Sequence, residues 1–249
     1  MEVKSEINYN YLNSINRIDD YLNNHNDYQE CVDIPARNRL TYSNGFYVDC
    51  YALFVDIRSS SKLPEQHQKR VLARIYRSYI SELTAIMQDF SNCKEINIVG
   101  DCVSGIFSHN TKDDVMQPFQ AAYTINGIVQ ILNHKLEQKG WSPIKIGIGL
   151  ASGKALMIQA GFKGSGLNDV VWMGDVVNQA SNLCNIANKN GNDVIVVSND
   201  VYDELYGKLG ANNIPYQKML KKTHYFDDYY TGDITLVSIL EWLNSNSNK

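Results

Sequence analysis

One stretch constrains the fold of this chain more than any other. It is the apolar run Leu53–Val55, which is followed by Asp56, Ile57 and Arg58 and then by three serines. Continuous apolar runs of this kind are typical of central strands buried on both faces. A carboxylate at the end of such a strand is costly to remove from water unless it has a partner. The stretch therefore predicts a central strand that delivers one functional carboxylate to the edge of a sheet.

A second carboxylate lies in a similar setting 45 residues later (101 − 56). Residues 95–107 read as two strand-like runs joined at a Gly100-Asp101 tip. If the two strands are neighbours, Asp56 and Asp101 repel each other unless a cation lies between them. Oxygen-only ligands suit Mg²⁺ or Mn²⁺, and two such ions about 3.5–4 Å apart serve in-line displacement at phosphorus. We expect two divalent cations here; the alternatives are a helix N-cap for Asp56 and a turn residue for Asp101.

The serines that follow the first strand suggest an anion site. Ser59, Ser60 and Ser61 lie between the strand end and a helix that Pro64 opens. Backbone N–H groups at a helix N-terminus bind anions, and hydroxyl groups add further donors. A triphosphate bound there would reach cations held by Asp56. The alternative is that the serines only cap the helix.

The order of the remaining elements predicts an α+β fold, a mixed and mainly antiparallel sheet with helices on one face. No internal repeat or Pro/Gly/Ser-rich linker divides the chain, so we expect an N-terminal helical extension over residues 1–45 and one larger domain over residues 46–249. Apolar spacing predicts helices over 5–30, 64–90, 118–138, 176–188 and 201–209, strands over 144–150 and 194–198, a Gly-rich segment over 161–175, and a closing pair of strands within 217–240 that turns at 231–233.

Composition excludes several classes of protein. The net charge of −4 over 249 residues, without a basic stripe, argues against a nucleic-acid surface. No apolar run approaches the roughly 18 residues of a membrane span, and Met1–Asn8 lacks the apolar core of a signal peptide. The five cysteines show no CxxC spacing and are expected to be reduced thiols. We expect a soluble cytoplasmic protein.

Four motifs in register carry a resemblance to a known family. They are Phe54-x-Asp56-Ile57-x-x-Ser60-x-x-Leu63, Ile98-x-Gly100-Asp101, Ile146-Gly147-Ile148-Gly149 and Gly174-x-x-Val177-Asn178-x-Ala180-Ser181. With the strand and helix that begin at Val194 and Val201, residues 46–240 resemble the catalytic domain of class III nucleotidyl cyclases. The resemblance implies a ferredoxin-like palm with an added hairpin, working as a head-to-tail homodimer whose two chains share each active site.

The resemblance also implies roles for individual residues. Asp56, Asp101 and the carbonyl of Ile57 would be metal ligands. Asn178 would orient the ribose, unless it is simply a solvent-facing helix residue. A basic residue of 218–222, with Lys218 first on spacing, would meet the triphosphate, unless it too only faces solvent.

The chain departs from the family at three positions. The positions that read the purine base hold Asn97 and Val171; Asn97 can donate and accept hydrogen bonds, and the Val171 side chain can do neither. The position of the transition-state arginine holds Asn182. Charge on the α-phosphate would then be met by the metals or by an arginine at 37, 39 or 58, or else the domain is inactive.

Two further stretches are similar to one bacterial branch, the pyrimidine cyclases of the Pycsar antiphage systems. They are residues 34–45 leading into Asp56, and residues 164–175. The branch implies conversion of UTP or CTP, with uracil weakly favoured, to a cyclic nucleotide that activates a separate effector protein. The alternatives are a degenerate domain that binds a nucleotide without turnover, and a purine cyclase with unusual base contacts. No Gly-Gly-Asp-Glu-Phe run of a diguanylate cyclase occurs.

Overall fold

The computed structural model describes residues 9–162 and 167–246. Residues 5–8 of the predicted N-terminal helix and residues 163–166 of the predicted Gly-rich segment lie outside these ranges. The helices are α1 (Tyr11–Asn23), α2 (Leu63–Gln66), α3 (Lys69–Asp89), α4 (Met116–Glu137), α5 (Asp175–Ile186), α6 (Asn199–Glu204) and α7 (Val237–Asn246). The strands are β1 (Asp27–Cys31), β2 (Asn44–Ile57), β3 (Cys93–Val99), β4 (Cys102–Ser108), β5 (Ile146–Phe162), β6 (Leu167–Met173), β7 (Ile195–Ser198) and β8 (Tyr229–Gly232).

The eight strands in the described part of the chain form one sheet around β2 and β5. The order is β3-β4-β2-β5-β7-β8, with β1 added beside β2 and β6 added beside β5. The β1–β2 and β5–β7 pairs are parallel and the others are antiparallel. Leu53 and Val55 on one face of β2 and Ala52 on the other are fully buried. The expected mixed, mainly antiparallel α+β architecture is confirmed.

Helices cover both faces of this sheet. Helices α3, α4 and α6 pack with Leu53 and Val55 in the main core. Helix α5 packs on the opposite face, where Ala180 and Leu183 meet Ala52. The sequence pattern placed the helices on one face, and α5 differs because glycines in β5 let its backbone lie directly on the strand. A Cβ atom added at Gly149 would lie 2.2 Å from the carbonyl oxygen of Ala180.

The two ends of the chain differ from the sequence prediction. The N-terminal helix ends at Asn23 rather than near residue 30, and residues 27–31 instead pair with β2. The predicted closing pair of strands within 217–240 is wrong. A 3₁₀ helix occupies Tyr216–Met219, the 231–233 turn is replaced by the end of β8, and a helix, α7, follows. Helix α7 forms because its buried Ile239 side chain fits against Gly127 of α4.

Strand β5 is much longer than the predicted 144–150 strand. It runs 17 residues to Phe162, and its outer half pairs with β6 inside the segment that the sequence showed only as Gly-rich. Within residues 9–162 and 167–246, no helix has the length and apolarity that a membrane crossing requires.

Candidate active site

The sheet brings the two predicted metal-binding aspartates together. Val55 pairs with Val103 of β4, so Asp56 and the Gly100-Asp101 tip lie at the same edge of the sheet. The tip turns at Gly100, whose φ of 64° favours glycine. Burial raises the pKa of Asp56, and the charge of Asp101 and a hydrogen-bonding contact between the two carboxyl groups raise it further. The two side chains are therefore close enough for the charge of Asp101 to disfavour ionisation of Asp56.

The oxygen atoms of this pair fit a hard divalent cation. Oδ2 of Asp101 is buried and makes no hydrogen bond in the part of the chain that the structure describes. A buried polar atom without a partner is costly, and two mutually repelling carboxylates need a counter-charge. Among the described residues, no three His, Cys, Asp or Glu side chains form a ligand cluster. Further oxygen ligands would have to come from a backbone carbonyl, as predicted for Ile57, or from substrate phosphates.

The Arg58 side chain is buried next to Asp56, and its guanidinium group is engaged by protein atoms rather than open to the site. Its Nη2 donates to the carbonyl oxygen and to Oδ2 of Asp56, each at 3.1 Å, and its Nη1 donates to the carbonyl oxygen of Asn185 at 3.1 Å. The side chain is 7% exposed, and a Cβ at Gly147 would lie 2.8 Å from its Cζ. This geometry orients Asp56 and leaves little guanidinium surface for a phosphate, the role that the sequence left open for Arg58.

The serine turn follows directly after the aspartate. Ser59 adopts a left-handed φ of 56° and turns the chain into a 3₁₀ helix over Ser60–Lys62. None of these residues makes a side-chain capping bond to that helix or to α2. Within the described residues, no hydrogen bond engages the hydroxyl groups of Ser59, Ser60 and Ser61. The capping alternative is therefore not what the structure shows, and the phosphate role stays a prediction.

The cations near the site differ from those that spacing suggested. Lys218 lies exposed on the 3₁₀ helix at 216–219, whereas Lys221 is paired with Asp193 at 3.1 Å. Lys189, which follows α5, lies close enough for its charge to lower the pKa of Asp56. Nothing in the sequence indicated Lys189, because only the docking of α5 on β5 brings it to the aspartates.

Helix α5 carries the predicted ribose residue away from the aspartates. Asn178 is exposed and lines a shallow groove with Asn182 and Tyr229. Cys184, which contacts Arg58, lies six residues further along the helix, a rise of about 9 Å. The end of α5 near the aspartates and the end that carries Asn178 are thus separate surfaces of one chain.

The two predicted base-reading residues lie on strands that one arginine links. Asn97 pairs with Ser104 on β3–β4, and Val171, which is 37% exposed, pairs with Ile158 on β5–β6. Arg37 begins the 3₁₀ helix Arg37–Arg39 between β1 and β2. It binds Glu95 of β3 and lies 3.6 Å from Asp169 of β6. The structure therefore brings the two strands into one region.

Comparison with known proteins agrees with this geometry. Residues 45–222 match the family model for the adenylate and guanylate cyclase catalytic domain. The chain belongs to this family of class III cyclases.

Particular relatives narrow the comparison. A protein from Gulbenkiania mobilis named uridylate cyclase is 42% identical over 97% of this chain and 98% of its own. A second uridylate cyclase, from Treponema porcinum, is 35% identical over 95% of this chain and 81% of its own. Among solved structures, a class III adenylyl cyclase-like ATP-binding protein from Pseudomonas aeruginosa superposes with a TM-score of 0.66 at 18% identity, covering 91% of this chain and 48% of the other. The last likeness concerns the fold alone.

Proposed function

We propose that this protein is a cytoplasmic uridylate cyclase, which converts UTP to 3′,5′-cyclic UMP and pyrophosphate. The observation that carries the proposal is the convergence of Asp56 and Asp101 at one edge of the sheet, in a chain 42% identical to a named uridylate cyclase. In the reaction, the ribose 3′-oxygen attacks the α-phosphorus and the bond to the β-phosphate oxygen breaks. Pyrophosphate leaves, and the 3′-hydroxyl proton passes to solvent.

The carboxylates would act as the electrostatic centre of the catalytic domain, residues 46–249. Asp56, Asp101 and the Ile57 carbonyl would hold two divalent cations, Mn²⁺ or Mg²⁺. When bound, such cations would lower the pKa of the 3′-hydroxyl group and offset charge on the phosphates. Arg58 fixes the orientation of the Asp56 carboxylate from below. The free hydroxyl groups of Ser59–Ser61 would donate to the phosphates.

Each active site would combine two chains of a homodimer. Asn178 lies on the outer face of α5, away from the aspartates of its own chain, so it would serve the ribose bound by the partner. Because every chain carries both halves, a symmetric dimer would contain two equivalent sites. The exposed Lys218 would meet the triphosphate. Lys189 would add a positive charge beside Asp56, and this charge would compensate for the transition-state arginine that Asn182 replaces.

Complementation between inactive chains tests this arrangement. In a 1:1 mixture of Asp101→Ala and Asn178→Ala proteins, half of the dimers are mixed, and each of these has one intact site. Statistical mixing therefore predicts about a quarter of the wild-type activity. A mixture as inactive as its components, after chain exchange has been verified, would exclude the shared site.

A nucleotide panel tests the reaction itself. Purified protein with Mn²⁺ and each of ATP, GTP, CTP and UTP should form cyclic UMP as its main product. Asn97 and Val171 lack the purine-reading pattern, which agrees with this choice. A product that is only cyclic CMP, cyclic AMP or cyclic GMP would contradict the uridine assignment.

The second candidate is a domain that binds a nucleotide without turnover. The replacement of the transition-state arginine by Asn182 favours it. The paired carboxylates argue against it, because a module that only binds does not need two carboxylates that repel each other. Calorimetric binding of UTP with no product in the nucleotide panel would establish this candidate instead.

The resemblance to the Pycsar cyclases extends the proposal to antiphage defence. Cyclic UMP made during phage infection would activate a separate effector protein that responds to cyclic nucleotides. Cyclic UMP should rise after infection in cells that carry the wild-type gene and stay at background with Asp101→Ala. An unchanged level in infected wild-type cells would contradict the signalling role.

A further inference from the structure

Arg37 lies between the two strands that carry the predicted base-reading residues, with one side of its guanidinium group hydrogen-bonded and the other side free. Arg37 Nε donates to Oε2 of Glu95 at 3.0 Å, and Nη2 donates to Oε1 of the same carboxylate. Nη2 also lies 3.6 Å from Oδ1 of Asp169. The Nη1 group makes no hydrogen bond within residues 9–162 and 167–246. The arginine side chain is 57% exposed, whereas that of Glu95 is 3% exposed.

This arrangement is unlike an ordinary surface ion pair. An exposed pair contributes little to stability, and a carboxylate as buried as Glu95 is costly to desolvate. A bidentate contact to a buried carboxylate does, however, fix the plane of a guanidinium group. Glu95 therefore holds the Arg37 guanidinium group in one orientation, with its Nη1 group free.

These contacts bring Arg37 close to the two strands that carry the predicted base-reading residues, Asn97 and Val171. Glu95 and Asn97 are two residues apart on β3, so they share a face of the strand and lie about 7 Å apart along it. Asp169 and Val171 have the same relation on β6. Because Arg37 contacts Glu95 and Asp169, it lies between the two strands, two residues along each strand from Asn97 and Val171.

We propose that Arg37 is a specificity-determining residue that donates from Nη1 to a carbonyl oxygen of the uracil ring. The inference rests on the proposed function and adds to it the group that reads the base. Uracil carries two carbonyl acceptors and one N–H donor. Asn97 can satisfy only part of this edge and the Val171 side chain none of it, so a further donor is required. With the uracil ring in this position, the Arg37–Glu95 pair would also leave less space for the larger ring system of a purine.

Sulfur-substituted substrates test the contact directly, because sulfur accepts hydrogen bonds weakly. Wild-type kcat/KM should fall roughly 10- to 100-fold for either 2-thio-UTP or 4-thio-UTP relative to UTP, the range for a charged hydrogen bond. The Arg37→Met variant should lose a similar factor on UTP, mainly through KM, and should no longer discriminate against that thio analogue. Its relative activity on ATP and GTP should rise.

Controls separate base reading from a structural role. Lys208→Ala removes one member of a different surface pair, with Asp113, and should keep wild-type discrimination. Arg37→Lys keeps the charge but lacks the two parallel N–H groups of the guanidinium group, so it should behave like Arg37→Met. This second variant keeps the test valid if Arg37→Met folds poorly. Equal losses on all four nucleotides, unchanged discrimination in both variants, or a wild-type protein indifferent to both thio analogues would overturn the proposal.

The test remains separable from the proposed function. A wild-type protein that forms no cyclic UMP would refute the function. Calorimetric binding of UTP and its two thio analogues to wild-type and Arg37→Met protein would then decide the role of Arg37 alone. Thio discrimination present in wild type and absent in the variant supports the contact, and its absence in wild type contradicts it.

Discussion

Substitution of Gly149 by alanine should both destabilise the protein and inactivate it. The added Cβ would lie 2.2 Å from the Ala180 carbonyl oxygen and 2.2 Å from the Cys184 nitrogen. Since real Cβ contacts do not fall below 3.0 Å, α5 has to move outward by about 1 Å. Overpacking of this kind costs about 1–3 kcal/mol. Because α5 carries Asn178 and its far end contacts Arg58, a 1 Å displacement should lower kcat roughly 100-fold.

Urea denaturation and cyclase kinetics on the same preparations measure both effects. The matched control is Gly140→Ala, which meets no atom within 4 Å but has a φ of 67°. It should cost about 1 kcal/mol through backbone strain alone and leave kcat unchanged. Wild-type stability and kcat in Gly149→Ala would refute the close docking of α5 on β5.

Three further predictions concern single side chains. Burial and the nearby Asp101 raise the pKa of Asp56, so the metal-free protein should lose stability as pH rises through that pKa. Asp101→Asn removes the charge of Asp101 and should therefore raise the free energy of unfolding at pH 7 in urea denaturation. A destabilised variant would contradict the repulsion between the two carboxylates. Arg58→Met should weaken Mn²⁺ binding about 10-fold by calorimetry, since Asp56 loses its orienting donor, and Arg58→Lys should not restore it because one ammonium group cannot span the same acceptors. Tyr51→Phe removes the hydroxyl group that donates to Glu204 at 2.5 Å. The free energy of unfolding, measured by heat or urea, should fall by about 1–3 kcal/mol, and kcat should stay unchanged. A loss of activity without a loss of stability would show instead that this hydrogen bond serves the active site.

The sequence was sufficient where local pattern and burial agree. The apolar run at 53–55 predicted a central strand, and β2 pairs on both sides there. The hairpin with Asp101 at its tip was also readable, because alternating runs joined by Gly-Asp are typical of tight turns. Gly147 and Gly149 lie inside a strand, where glycine is a signal of close approach by another element, although the pattern does not say which element approaches.

What the sequence could not predict depends on contacts between distant residues. Arg37 and Glu95 are 58 residues apart, and neither has a local pattern that reveals the other. Helix α7 lies in a segment with β-type residues, and it forms because Ile239 finds a site on α4. The position of Lys189 follows from the docking of α5 on the sheet.

The central claim is that Asp56 and Asp101 together bind divalent cations. Calorimetric titration of Mn²⁺ into nucleotide-free protein tests it most directly, using wild type, Asp56→Asn and Asp101→Asn. We predict saturable binding to the wild type and its loss in each variant, with folding verified by circular dichroism. Wild-type Mn²⁺ affinity in both folded variants would contradict the claim.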